Sequence, residues 1–313
     1  MRNVLVTGGA GFIGSHIVEA LVARGDKVRV LDNLCTGFRS NFAAVESEID
    51  FIAGDISDAA IVREAVDGVE CVFHQAALAS VPLSVERPLD TNQACVTGTL
   101  TLLDQAQRAG VRRFVYAGSS AAYGDAPTPR KRESDLPMTL SAYAAAKLAG
   151  EHYCEAFYHT HGLETVCLRY FNVFGPRQDP NSPYSAVIPI FITRILNNDP
   201  PILFGDGLQS RDFTFVKNVV RGNLLAAEAT DAPGKKFNIA DGRATTLLQL
   251  IAALRELLGV EIEPLHKPPR LGDVRESLAD ISAARSILGY EPQVDFEDGL
   301  RQSIDYYRSL VAA

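Results

Sequence analysis

Short apolar runs alternate with amphipathic stretches along the first half of the chain. The runs predict strands over Asn3–Thr7, Lys27–Leu31, Asp50–Ala53, Cys71–His74, Arg113–Ala117 and Thr165–Tyr170, and a helix around Tyr143–His159. Runs such as VLV and FVYA are apolar without interruption, which is typical of strands buried on both faces of a parallel sheet. The alternation therefore predicts an α/β fold with a doubly wound parallel sheet.

The pattern changes after Gly175. Six prolines punctuate residues 176–201, the glycines at 205 and 207 indicate a tight turn, and helices are again predicted from Leu247 and Phe296. We expect a first domain over residues 1–171 and a smaller α/β domain over 172–313, with an approximate boundary that the chain can cross. Since no long linker separates the two, the active site is expected in the cleft between them.

Composition narrows the class of protein. The chain has 313 residues, 47% hydrophobic and 22% charged, which is typical of a folded enzyme, and its net charge of −8 gives no general attraction to nucleic acid or anionic membranes. Its apolar stretches are shorter than the roughly 20 residues that cross a bilayer. Five cysteines without a CxxC pair favour neither a disulfide framework nor a metal site. The N-terminus lacks the layout of a signal peptide, so we expect a cytoplasmic protein.

A glycine turn follows the first predicted strand. In VTGGAGFIGS, Gly8, Gly11 and Gly14 stand three residues apart where the first helix begins. At this spacing the first glycine permits a tight turn, the second lets backbone N–H groups approach a pyrophosphate, and the third lets helix and strand pack closely. Glycines also end strands for purely structural reasons, so the position directly after a strand is what favours a dinucleotide site.

Carboxylates at the ends of the next two strands indicate which dinucleotide binds. Asp32 ends the second strand, where a carboxylate can accept hydrogen bonds from the adenosine ribose and repels a 2′-phosphate. The following residue is Asn33 and carries no positive charge, so NAD is favoured over NADP. Asp55, after the third strand, is placed to touch the adenine, although an Asp at a strand end more often caps a turn.

A tyrosine and a lysine stand four residues apart in SAYAAAKLAGE. The alanine-rich run favours a helix, so Tyr143 and Lys147 are expected on one face. An ammonium and a positive nicotinamide ring nearby would lower the pKa of the phenol from its usual value near 10 and make it a general base. Ser119 and Ser120 follow the fifth strand, and one of their hydroxyls can bridge the substrate oxygen and Tyr143. Which serine does so is left open.

Ten motifs together resemble one family over nearly the whole chain. They are TGGAGFIG, LDNLCTG, AGDI, HQAA, GSSAAYGD, YxxxK, LRYFNVFGPRQDP, SAVIPIF, FGDGLQSRDF and RLGDVRES. The set is similar to the extended short-chain dehydrogenase/reductase family, and within it to the nucleotide-sugar 4-epimerases. The resemblance implies a Rossmann-type domain, a smaller C-terminal substrate-binding domain, and NAD as cofactor.

The resemblance also implies roles for individual residues. The implied catalytic set is Ser119, assisted by Ser120, with Tyr143 and Lys147. The implied NAD site adds Gly8, Gly11, Phe12, Ile13, Gly14, Asp32, Asn33, Asp55, Ile56, Ala76, Ala77 and Tyr170. The implied UDP-sugar contacts, beside Ser119 and Tyr143, are Asn172, Val187, Leu203, Phe204, Arg211, Arg270 and Ser277. Arginine suits such a site because its planar fork pairs with phosphate oxygens.

The mechanism that the resemblance implies has no net redox change. Tyr143 removes the C4 hydroxyl proton of a UDP-hexose while the C4 hydride passes to NAD, and the resulting 4-keto sugar turns over before the hydride returns to its other face. Enzymes of this group often pair, which implies a homodimer formed by helices near Leu100 and Tyr143–Tyr158. An apolar helix stripe is more often simply core.

Sister activities differ at the sugar. Dehydratases and decarboxylases of the family carry an acidic residue just after the active serine or threonine, where this chain has Ser120 and Ala121. Uronate epimerases have Thr and Arg where it has Asn172 and Asp179, which favours a neutral hexose. Ser277 is small, so UDP-GlcNAc/UDP-GalNAc is an expected substrate pair alongside UDP-Glc/UDP-Gal. A catalytically idle NAD-binding regulator is the alternative of another class.

Overall fold

The computed structural model describes residues 1–180, 186–269 and 275–311. The helices are α1 Phe12–Ala23, α2 Ala59–Val66, α3 Val81–Glu86, α4 Pro88–Asn92, α5 Gly98–Arg108, α6 Ala142–His161, α7 Val187–Leu196, α8 Val216–Glu228, α9 Leu247–Leu258 and α10 Phe296–Val311. The strands are β1 Asn3–Thr7, β2 Lys27–Asp32, β3 Ile49–Ala53, β4 Cys71–His74, β5 Arg113–Ser119, β6 Arg130–Lys131, β7 Glu164–Tyr170, β8 Val173–Phe174, β9 Ile202–Phe204, β10 Ser210–Arg211, β11 Thr214–Phe215, β12 Lys235–Ile239, β13 Thr245–Thr246, β14 Leu265–Lys267 and β15 Glu276–Ala279.

A seven-stranded parallel sheet forms the centre of the fold, in the order β3-β2-β1-β4-β5-β7-β12. The chain first moves outward from β1 to β3 and then resumes on the other side of β1 with β4. This reversal makes the sheet doubly wound and Rossmann-type, as predicted. The six predicted strands lie in this sheet, with ends shifted by no more than two residues.

Helices cover both faces of the large sheet. Val4 and Val6 of β1 pack in one buried cluster with residues of α1 and α8, and Leu5 packs in a second cluster with residues of α2 and α5. Successive side chains of a strand point to opposite faces, so burial on both sides requires a strand that is apolar throughout. The uninterrupted apolar runs in the sequence have this cause.

The chain returns to the large sheet late in the sequence. After β7 it contributes α8, which packs on α1 and β7, and then β12, which pairs with β7 in parallel. Residues 216–239 therefore belong to the large sheet and the helices that cover it, although they follow residue 172 in the chain. The division into two domains, with a boundary near residue 171 that the chain can cross, stays a prediction.

The rest of the C-terminal half surrounds a third buried cluster. Residues of α7, α9 and α10 pack there with Phe174, Phe213 and Phe215. Short strands flank this cluster: β13-β10-β15-β6 form a four-stranded sheet, and β8 with β11 and β9 with β14 form parallel pairs. Within the described ranges, no helix is long and apolar enough to cross a membrane.

Candidate active site

The predicted cofactor residues lie at one edge of the large sheet. They follow the carboxyl ends of five of its parallel strands: Gly8 to Gly14 follow β1, Asp32 and Asn33 end or follow β2, Asp55 and Ile56 follow β3, Ala76 and Ala77 follow β4, and Tyr170 ends β7. The order of the sheet reverses between β1 and β4. Ligands of such sheets bind in the crevice outside this reversal, where the loops on either side diverge.

The turn between β1 and α1 requires glycine at two positions. Gly8 has φ +69°, and a Cβ there would lie 2.6 Å from the backbone nitrogen of Ala76. A Cβ on Gly14 would lie 2.1 Å from the carbonyl oxygen of Gly8. Gly11 precedes α1 and provides no side-chain cap, so the backbone N–H groups of Phe12 and Ile13 begin the helix without one. These groups and the helix dipole suit an anion such as pyrophosphate.

Asp32 joins the glycine turn to the loop after β2. Its carboxylate, 8% exposed, accepts hydrogen bonds from the N–H groups of Ala10 at 2.9 Å and Leu34 at 2.8 Å. Burial raises its pKa, and the two N–H donors act in the opposite direction. The carboxylate keeps lone pairs to accept further hydrogen bonds, as a ribose requires. The residues present thus fit an NAD dinucleotide.

Asn33 and Asp55 contact each other beside this turn. Asn33 Nδ2 donates to Asp55 Oδ2 at 2.7 Å, and the Ser57 N–H and hydroxyl donate to Asp55 Oδ1. Burial raises the pKa of Asp55, but these hydrogen bonds outweigh it and leave the pKa below its ordinary value. Ile56 is buried and faces Gly98 of α5, so only its backbone is placed to meet a ligand.

A polar network that the sequence analysis missed holds Tyr170. Gln75 Nε2 donates to Tyr170 Oη at 3.1 Å, and Tyr170 Oη donates to Asn223 Oδ1 at 3.0 Å. Burial raises the pKa of Tyr170 well above its ordinary value, so the ring stays a neutral phenol. The network joins β4, β7 and α8. Its signal in the sequence was weak, because Asn223 lies far from the other two along the chain.

Ser119 and Tyr143 meet at the end of β5. Ser119 Oγ accepts the N–H of Ala121 at 3.1 Å, and the Ser119 side chain is near enough to the Tyr143 phenol to lower its pKa. Tyr143 lies in the first turn of α6, which Ser141 caps by accepting the N–H of Ala144. Ser120 is half-buried and begins a short 3-10 helix. Of the two candidate serines, Ser119 is therefore the one beside the phenol.

The pKa of Tyr143 in the chain without NAD lies above its ordinary value. Burial raises it to about 12, and the neighbouring Ser119 side chain acts the other way. Lys147 Nζ donates to the carbonyl oxygen of Ala117 at 2.8 Å and lies 5.2 Å from the ring centre of Tyr116. The predicted lowering of the Tyr143 pKa needs both Lys147 and a bound nicotinamide ring, so it stays a prediction.

The same helix carries a buried ion pair that the sequence did not predict. Glu151, four residues after Lys147, forms a buried ion pair with Arg169 of β7, with 2.9 Å between Arg169 Nε and Glu151 Oε1. A Cβ on Gly118 would lie 2.9 Å from that same carboxylate oxygen, which explains glycine beside Ser119. The ion pair fixes α6 against the strands that end at the site. The position of Glu151, four residues after Lys147 on the same predicted helix, is the sequence feature that could have indicated this ion pair.

The predicted sugar residues lie on short strands and loops of the C-terminal half. Arg211 and Ser277 face each other in register on β10 and β15. Asn172 follows β7 with φ +21°, and its Nδ2 donates to the carbonyl oxygen of Asp212 at 3.3 Å. Arg211 is half-buried, and its Nη1 donates to the carbonyl oxygen of Ser210 at 2.8 Å. The structure thus brings Asn172, Arg211 and Ser277 around Asp212.

The other predicted contacts are less closely grouped. Val187 begins α7 and is half-buried, and Phe204 is half-buried at the end of β9. Leu203 is fully buried in the third cluster, so its side chain cannot reach a ligand and only its backbone can. Arg270 lies outside the described residues.

A serine–tyrosine–lysine set beside a dinucleotide turn defines the class of enzyme that oxidises or reduces an alcohol with a nicotinamide. The chain belongs to the NAD-dependent epimerase/dehydratase family, whose model matches residues 4–240. The family includes epimerases and dehydratases of nucleotide sugars, and NAD is its cofactor.

Individual relatives share nearly the whole chain. The chain is 36% identical over 311 residues to a UDP-glucose 4-epimerase of Mycolicibacterium smegmatis, covering 98% of this chain and 99% of the relative. A UDP-N-acetylglucosamine 4-epimerase from Methanobrevibacter ruminantium in complex with UDP-N-acetylmuramic acid is similar in structure, with TM-score 0.95, 41% identity and 99% of each chain covered. A UDP-glucose 4-epimerase with UDP-glucose from Thermotoga maritima gives TM-score 0.94 and 40% identity, again with 99% of each chain covered.

Proposed function

We propose that the protein is a UDP-hexose 4-epimerase that inverts C4 of UDP-Glc/UDP-Gal and of UDP-GlcNAc/UDP-GalNAc. The observation that carries the proposal is the position of Ser119, at the end of β5, beside Tyr143 in the first turn of α6, with Lys147 one helical turn further on. Ser119 at the end of β5 and the glycine turn after β1 lie at the same edge of the large parallel sheet. The similar epimerases named above support the reaction class.

Tyr143 is the proposed acid and base. Its phenol would remove the proton of the C4 hydroxyl and later return a proton to the C4 oxygen of the 4-keto sugar, after the sugar has turned its opposite face to the cofactor, while Ser119 holds that oxygen through a hydrogen bond. Bound NAD supplies reversible hydride acceptance and, when oxidised, a positive ring. Because the chain alone keeps the pKa of Tyr143 at about 12, we propose that ligand binding favours the phenolate, with the buried Lys147 holding α6 on β5.

The proposed NAD site uses the groups that already converge at the sheet edge. Gly8, Gly11, Phe12, Ile13 and Gly14 would meet the pyrophosphate through backbone N–H groups. Asp32 would accept from the adenosine ribose, and Asn33, Asp55 and the Ile56 backbone would line the adenine. The remaining part of NAD would be lined by Ala76, Ala77 and Tyr170, next to Tyr143 and Lys147.

The proposed UDP-sugar site is formed by the C-terminal half. Arg211 would pair with phosphate oxygens, since a guanidinium donates in two directions at once. Ser277, its partner in register on β15, would leave room for an acetamido group at C2. Firm contacts to the nucleotide and few to the hexose let the 4-keto sugar turn over, so most binding free energy would come from the UDP part.

Two related activities fit the residues less well. Elimination chemistry has no carboxylate after Ser119, because Ser120 and Ala121 occupy those positions. A uronate would meet Asp179 on the loop after β8, and like charges disfavour that contact. A catalytically idle role does not explain why Ser119 lies beside Tyr143.

Product analysis tests the proposal directly. Purified protein is incubated, with no added coenzyme, with UDP-Glc, UDP-GlcNAc and UDP-GlcA in separate reactions, and products are separated by chromatography. We expect conversion of the first two to their C4 epimers and none of the third. Release of water from the sugar would indicate a dehydratase, conversion of UDP-GlcA alone a uronate epimerase, and no conversion an idle protein.

We also propose a cytoplasmic homodimer. The five cysteines are free thiols, which suits a reducing compartment. Val85 and Leu89 are 69% and 83% exposed on α3 and α4, beside α6, and pairing through α5 and α6 would cover apolar surface there. Light scattering on the purified protein distinguishes a dimer from a monomer, and cell fractionation tests the compartment.

A further inference from the structure

A fully buried carboxylate lies beneath the predicted sugar residues and has no role in the chemistry above. Asp212 follows β10 and is 0% exposed. Its Oδ1 accepts the N–H of Asp241 at 2.9 Å, its Oδ2 accepts the N–H of Ala279 at 3.2 Å, and the N–H of Gly242 is 3.1 Å from Oδ2. The side chain therefore joins the loop after β12 to the end of β15.

The backbone of Asp212 makes two further connections. Its N–H donates to the carbonyl oxygen of Ser277 at 2.7 Å, and its carbonyl oxygen accepts Asn172 Nδ2 at 3.3 Å. Arg211 precedes it in the chain. Asp212 thus contacts the Asn172 side chain and the Ser277 backbone and adjoins Arg211, the three residues that the proposed function assigns to the UDP-sugar.

We propose that Asp212, in its ionised form, is a positioning residue for the UDP-sugar, which holds Arg211, Asn172 and Ser277 in the arrangement that binds the nucleotide. An ionised carboxylate only accepts hydrogen bonds, which matches the N–H donors that converge on it. A protonated carboxyl, or an amide, would turn a donor toward one of these N–H groups and lose at least one of the bonds. The inference rests on the proposed function, since it concerns the same ligand.

The protonation state of Asp212 is expected to change within the pH range that a binding experiment can cover. Burial raises its pKa to about 7; the N–H donors of Ala279, Asp241 and Gly242 act against burial, and the charge of Asp241 acts with it. Nearby titratable or charged groups on the elements around it are Arg211, Arg221, Asp241, Arg243, Asp280, Tyr290 and Asp295. His266 on β14 pairs in register with Leu203, and its substitution serves as a control for the histidine of this half of the chain.

The direction in which pH changes the affinity for UDP-glucose follows from these contacts. Above about pH 8 Asp212 is ionised and the arrangement is complete, and as the pH falls through 7 the carboxyl gains a proton and the arrangement loosens. UDP-glucose itself does not titrate in this range. Its dissociation constant is therefore expected to rise by about tenfold between about pH 8 and pH 6, the ratio for a group with this pKa when only its ionised form supports binding.

Calorimetry of UDP-glucose binding to the Tyr143→Phe protein tests the inference without turnover. We expect Tyr143→Phe/Asp212→Asn to bind about tenfold or more weakly at about pH 8 and to lose the pH dependence, because bonds to an ionised acceptor are lost. In the otherwise wild-type enzyme, Asp212→Asn should raise KM and leave kcat within about threefold. Asp280→Asn, which removes a nearby charge without those bonds, and His266→Asn should both keep the pH dependence.

Each outcome has one meaning. An affinity that does not vary with pH in the parent protein, or a pH dependence lost in His266→Asn, overturns the titration assigned to Asp212. Equal affinities of Tyr143→Phe and Tyr143→Phe/Asp212→Asn at about pH 8 overturn its positioning role. The pH dependence of the parent needs no substitution at Asp212, so the inference is tested even if Asp212→Asn does not fold. If UDP-glucose does not bind at any pH, the proposed function fails instead, and the inference with it.

Discussion

The buried ion pair between Glu151 and Arg169 gives a prediction whose size follows from the structure. Their side chains are 4% and 1% exposed, Arg169 Nη2 is 2.7 Å from Glu151 Oε2, and the guanidinium carbon lies 4.6 Å from the ring centre of Tyr123. Glu151→Gln keeps the size of the side chain but leaves the Arg169 charge buried without its partner. Breaking such a pair costs about 3–5 kcal/mol, a large part of the roughly 5–15 kcal/mol by which domains are stable.

The melting temperature is the quantity to measure. At the roughly 2 °C per kcal/mol expected for a long chain, Glu151→Gln should lower it by about 6–10 °C. Glu155→Gln is the matched control, because Glu155 lies one turn later on α6 with its side chain 50% exposed, and it should change stability by less than about 0.5 kcal/mol. The double variant Glu151→Met/Arg169→Met removes both charges and should recover most of the loss.

The reasoning is refuted by a specific pattern. If Glu151→Gln melts at the same temperature as Glu155→Gln, the ion pair does not hold α6 on β7. If the double variant is less stable than Glu151→Gln, apolar packing cannot replace the pair and the cost of the unpaired charge was not the cause.

Two further substitutions probe the ligand sites. Gly14→Ala should reduce the NAD that copurifies by more than about tenfold, because its Cβ would lie 2.1 Å from the carbonyl oxygen of Gly8 and the turn must open; full NAD content by absorbance after denaturation would contradict this. Ser277→Tyr should lower kcat/KM for UDP-GlcNAc far more than for UDP-Glc, since a large side chain fills the space for the acetamido group. Equal losses for both sugars would reject Ser277 as the determinant.

The large sheet was predictable because its strands carry their own signal. The central strands β1, β4 and β5 are short, mainly apolar runs that are buried on both faces, and the glycine turn between β1 and α1 marks where the sheet meets a ligand. The helix that carries Tyr143 and Lys147 was predictable from its alanine-rich composition. These features depend on residues close together in the chain.

The C-terminal half could not be predicted in the same way. Strands β10 and β13 have two residues each, and Arg211 pairs with Thr245 and Ser277, which are distant in sequence. No local pattern marks Asp212 as buried, because the loop after β12 and the end of β15 create that burial. Helical spacing likewise placed Lys147 on the same helix as Tyr143 but could not show that its ammonium donates to the carbonyl oxygen of Ala117.

The most direct test of the account replaces the phenol that is proposed to move the proton. Epimerisation of UDP-Glc is measured for Tyr143→Phe beside Tyr153→Phe, a partly exposed tyrosine on the same helix. We expect Tyr143→Phe to be slower by about a hundredfold or more with its NAD content unchanged, and Tyr153→Phe to match the wild type. A Tyr143→Phe protein that converts UDP-Glc at the wild-type rate would contradict the account.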